Sequence, residues 1–110
     1  MNPYIYTFIR DDISPEQKIV QLGHAAWEAG LRFENPGQTA SLILLHADDE
    51  DDLVSIARRL DEKGIEYYMF YEPDNMMGYS AICTEPTYGQ TRAVFEKYSL
   101  FRIPPKTCMC

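Results

Sequence analysis

The sequence predicts one α/β domain, a small mixed four-stranded sheet with helices on both faces, in the order β-α-β-α-β-β-α. Three observations carry this. Strand-like runs at Tyr4 to Ile9, Thr39 to His46, Ile65 to Tyr71 and Tyr79 to Thr84 alternate with two well-punctuated amphipathic stretches. The run TASLILLH is apolar almost throughout, the pattern of a strand buried on both faces. The chain of 110 residues, 45% hydrophobic and 25% charged, supports one core rather than two.

The first strand is β-branched and aromatic and closes on Arg10-Asp11-Asp12. Ser14-Pro15-Glu16-Gln17 then opens a helix: Ser caps it, Pro suits the first helical position, and Gln at the third can complete a capping box. At 100° per residue Ile19, Leu22, Ala26, Ala29 and Phe33 cluster with Gly23 and Gly30, so this side is expected to face the sheet. Gln17, Gln21, His24 and Glu28 gather on another side. Asn35-Pro36-Gly37 ends the helix, and Thr39 to His46 is expected to be a central strand.

The second helix takes Asp48 as its expected cap, repeats Leu53, Ile56, Ala57 and Leu60 at helical spacing, and stops at Lys63-Gly64. Its acidic block, Asp48 to Asp52, is read as a helix N-terminus favoured by the dipole rather than as a metal site. After the third strand, Glu72-Pro73-Asp74-Asn75 reads as a loop. After the fourth, Pro86 opens a third helical stretch carrying Tyr88, Thr91, Val94, Phe95 and Tyr98. Residues 1–103 are expected to form the domain and 104–110 an irregular tail.

No apolar run reaches the roughly 18 residues that span a bilayer, and Met1 to Arg10 lack the layout of a signal peptide. Cys83, Cys108 and Cys110 make a poor disulfide framework, so a cytoplasmic protein without a membrane partner is expected. The net charge of −7 opposes broad attraction to a phosphate backbone, although Arg92, Lys97, Arg102 and Lys106 leave room for a local basic face.

Lys18, Gln21 and His24 fall at i, i+3 and i+6, a spacing that can line one rim of a cleft. Taken singly, His24 reads as a surface histidine and Lys18 as a side chain that snorkels from the edge of the apolar face. Together, in QKIVQLGHAA, they resemble the helix of the type II peptidyl-tRNA hydrolases, in which a Lys precedes an apolar pair, a Gln, and a Gly or Ser followed by His-Ala-Ala. The Arg-Asp-Asp exit from the first strand and the later order of elements are similar along nearly the whole chain.

What the resemblance implies is metal-free, cofactor-free hydrolysis of the ester joining a peptide to the terminal ribose of tRNA, with peptidyl-tRNA as the partner. The expected cleft lies between the first helix and the loop before the fourth strand. Lys18, His24 and Glu72 would be the catalytic residues: Lys18 for cationic stabilisation, Glu72 in the place of the family's Asp to orient water, and His24 to help position substrate. Gln21, Asp74 and Asn75 would bind substrate. Where the family reads Asp-Ala-Gly-Arg-Thr-Gln, this chain has Glu72-Pro73-Asp74-Asn75-Met76-Met77, and its first loop is acidic rather than Lys- and Gly-rich. Glu72 and Asp74 can share the acid role or serve as turn formers.

The alternative is a noncatalytic ligand-binding or regulatory module that keeps this fold, which the net charge and both altered loops favour. The aromatic content leaves a homodimer as a further expectation. Cys108-Met109-Cys110 lacks the paired spacing of structural zinc, and no Gly-rich phosphate loop, Ser-His-Asp pattern or HExxH motif is present.

Overall fold

The computed structural model describes residues 1–102. The expected tail at 104–110, with Cys108 and Cys110, lies outside the described residues. The order is β1 (Tyr4–Arg10), α1 (Pro15–Arg32), β2 (Ser41–Ala47), α2 (Glu50–Glu62), β3 (Tyr67–Glu72), a 3-10 turn (Asp74–Met76), β4 (Gly78–Thr84) and a second 3-10 stretch (Gly89–Phe95). The four strands form one mixed sheet in the spatial order β2-β1-β4-β3. β1 and β2 run parallel, and β4 is antiparallel to both β1 and β3.

Period-two alternation sends opposite sets of side chains to the two faces. Tyr6 and Phe8 of β1 and Ile82 of β4 meet Leu53, Ile56 and Leu60 of α2 on one side. Ile9, Ala81 and Cys83 meet Ala25 and Ala29 of α1 on the other. Small residues from both the helix and the strand bring α1 close to the sheet.

Local chemistry sets the helix ends. The Ser14 hydroxyl accepts from the Gln17 N–H, with Pro15 at the first helical position. Asp49, one residue beyond the expected Asp48, caps α2 by accepting from the Asp52 N–H. Gly64, at φ +71°, ends α2 in the left-handed region.

Three expectations are corrected. β2 is an edge strand rather than a central one, and its outer side is only partly covered: the His46 N–H donates to Ser99 and the Phe101 N–H to Leu44. The stretch after Pro86 is a short 3-10 segment, because Thr87 exchanges two backbone hydrogen bonds with Tyr4 and holds the chain extended as far as Tyr88. The third correction concerns the rotation of α1. The buried line is Gln21, Ala25 and Ala29, with the expected Leu22, Ala26 and Phe33 half-buried beside it, whereas Ile19, Gly23 and Gly30 face outward. Periodicity centres the most apolar arc inward; here the helix is turned part of the way from that position so that a buried amide meets a hydroxyl and a carboxylate of the sheet.

Candidate functional site

Gln21 is the residue around which the site is organised. It sits on the face of α1 nearest the sheet at 1% exposure, where an amide requires partners on both its ends. The Ser80 hydroxyl donates to Gln21 Oε1 at 2.6 Å, and Gln21 Nε2 donates to Glu72 Oε2 at 3.0 Å. A chain of hydrogen bonds thus runs from the fully buried Ser80 to the partly exposed Glu72.

Ser80 reaches this face through an irregularity in the sheet. Phe70 pairs with Ala81 but Tyr71 pairs with Tyr79, so Ser80 is the extra residue of a β-bulge. Strict alternation would put Ser80 and Ala81 on opposite faces. The bulge breaks that alternation, and Ser80 turns to the α1 side beside Ala81, which packs with Ala25 and Ala29. Tyr68, Phe70 and Glu72 alternate onto the same face of β3: the His24 ring stacks on Phe70 with centroids 4.6 Å apart, and the Arg32 guanidinium lies over Tyr68.

Both Glu72 oxygens are engaged, since the Asp74 N–H donates to Oε1 at 3.1 Å. The Gln21 amide first, the Asp74 N–H second and the field of His24 third hold the Glu72 carboxyl below the usual carboxylate range. The carboxylate is therefore an ionised acceptor. Together α1 (Glu16, Gln17, Val20, Gln21, His24) and the loop (Glu72, Asp74, Asn75) line a cleft of about 330 Å³.

The loop is tied down at both ends. Pro73 starts the turn, and Asn75 and Met76 both take positive φ, 58° and 56°, which Asn tolerates and Met disfavours. Gly78, at φ +77°, then meets the Glu50 carboxylate so closely that a Cβ there would lie 2.0 Å from Glu50 Oε2. That oxygen accepts from the Tyr79 N–H at 2.7 Å. Arg10 Nη1 donates to the Met77 and Tyr79 carbonyls while the rest of its guanidinium forks onto Asp12, a bond that raises the Arg10 pKa and lowers that of Asp12. Glu50 is thus the member of the acidic block that leaves the helix terminus to brace the loop.

Of the expected site residues, the fold brings Gln21, His24, Glu72, Asp74 and Asn75 into this cleft. Lys18 is not among its lining residues: its ammonium pairs with Asp11 at 2.7 Å and lies 5.2 Å from the centroid of the Phe101 ring. Sequence reasoning missed Ser80, Arg10 and Glu50. Their signals were faint: a Ser in an otherwise apolar strand, an Arg closing a strand, and a glycine ahead of one.

Among the described residues no group of three or more His, Cys, Asp or Glu is placed to hold a metal ion, and no helix is long and apolar enough to cross a membrane. No family model matches this chain, and no curated protein matches it.

Proposed function

We propose that this cleft hydrolyses an ester, with the linkage of peptidyl-tRNA as the substrate that the resemblance of QKIVQLGHAA favours. The observation that carries the reading is the relay from Ser80 through Gln21 to an ionised Glu72, facing a cleft that also holds His24 and Asn75. With its pKa lowered, Glu72 is better suited to orienting a water than to acting as a strong base. In this scheme the water oxygen attacks the carbonyl carbon and the ester C–O bond breaks. The proton released by the water goes to the ribose oxygen, with His24 placed to relay it. Asn75 can donate to the oxygen on which charge develops. Lys18 assists only after leaving Asp11.

A second reading, a noncatalytic ligand-binding module, draws on the charge of the same cleft. Glu16, Glu72 and Asp74 line it, while His24 is the single basic group among its described lining residues. That is a poor surface for phosphates.

The test is release of tRNA from a peptidyl-tRNA analogue by the purified protein at low and moderate salt, beside Glu72→Gln and Lys18→Ala. Turnover that collapses in Glu72→Gln supports the esterase, and the Lys18→Ala rate reports whether the ammonium takes part. No turnover by the folded parent, with no salt-dependent tRNA binding, selects the binding module.

A further inference from the structure

We propose that the outward face of α1 is a self-association surface that takes a second copy of this chain. The face consists of Ile19, Val20, Trp27 and Leu31, exposed to 71%, 50%, 71% and 67% respectively, with Gly23 and Gly30 between them. No charged side chain interrupts it from Ile19 to Trp27, although both chain ends of the helix are charged. Val20, Trp27 and Leu31 lie on the side of α1 opposite the buried line of Gln21, Ala25 and Ala29, with Ile19 at the margin, which leaves four large apolar side chains in water.

The spacing of the face is self-complementary. A two-fold axis crossing it at the level of residue 25 sets the helices antiparallel, with Trp27 over Gly23 of the second copy, Ile19 against Leu31 and Val20 against Gly30. Large side chains meet notches in two of these three pairings, and each pairing is repeated by symmetry. Both glycines are open, with nothing within 4 Å of the place a Cβ would occupy, so a neighbouring helix can approach closely.

The area suits a weak, specific dimer. With Trp27 presenting on the order of 170 Å², the face offers roughly 500–600 Å² per copy, so pairing would remove about 1,100 Å² in all, near the lower edge of specific interfaces. An interface of this size belongs with weak, transient associations. The net charge of −7 on each copy makes association tighter at higher salt, opposite to a contact with tRNA.

Sedimentation of the full chain from about 2 to about 200 μM tests this directly, with Trp27→Ala and Gly23→Leu as variants. We expect a monomer–dimer equilibrium in the parent and a roughly thirtyfold weaker one in Trp27→Ala. Gly23→Leu is the discriminating variant: it adds apolar surface and helix propensity, so nonspecific adhesion would strengthen, whereas a filled notch should weaken the dimer tenfold or more. The space around Gly23 lets the variant fold. A parent that stays monomeric throughout, or a Gly23→Leu variant that associates more tightly, overturns the proposal.

Discussion

Replacing Gln21 by Met removes the polar centre of the site while keeping side-chain length and helix propensity. The Ser80 hydroxyl, fully buried, then loses its acceptor. An orphaned buried hydroxyl costs about 1–3 kcal/mol, so we expect Gln21→Met to destabilise the fold by about 2 kcal/mol and lower Tm by roughly 10 °C. Ser80→Ala alone leaves Gln21 Oε1 unpaired and costs about 1–2 kcal/mol. The double variant replaces both partners by apolar groups, and its stability should return to within about 1 kcal/mol of the parent. The coupling between the two sites is therefore about 2–4 kcal/mol. Urea unfolding of the four proteins under reducing conditions measures it, with unchanged m-values as the check on two-state behaviour. If the double variant loses the sum of the two single losses, the hydroxyl–amide bond is not what holds α1 in this rotation, and the account of the displaced apolar arc fails with it.

The other predictions concern titration, loop anchoring and thiol reactivity. The Glu72 pKa is depressed in the folded state, so its contribution to stability is complete above the ordinary carboxylate value of 4.5 and is lost as pH falls through the lower folded value. Below pH 4.5, Glu72→Gln should therefore lose stability with acid less steeply than the parent, and equal slopes would count against the two-donor geometry. Releasing the Glu50 brace should free the Tyr79 amide: in Glu50→Ala its hydrogen exchange speeds up at least tenfold, while Glu50→Gln, which keeps an acceptor oxygen, retains part of the protection. Burial pushes the Cys83 thiol up to about 12, so at pH 8 iodoacetamide should modify Cys83 only at the rate of unfolding; rapid native-state labelling, read by peptide mass spectrometry, would contradict its place beneath α1.

How much of the site the sequence revealed follows from how each residue acts. Gln21 and His24 stood out through helical spacing, which survives whatever way the helix is rotated. Glu72, Asp74 and Asn75 stood out only through the resemblance, since their place in a turn between two strands by itself reads as turn formation. Lys18 shares the helical spacing, yet its long side chain went to Asp11, and spacing alone does not choose between two acids within reach.

The sequence by itself determined the elements and their order. Capping residues, apolar runs and turn formers act within a few residues of one another, so Ser14, Gly64 and the strand runs are legible without the fold. Only the tertiary structure decided which face of α1 is buried, that β2 lies at an edge, and that Ser80 looks toward Gln21. Each of these depends on residues distant in the chain. One inserted residue opposite Phe70 and Tyr71 reverses the side to which a strand residue points, and the hydroxyl it presents turns a whole helix, a balance that neither segment's own pattern contains.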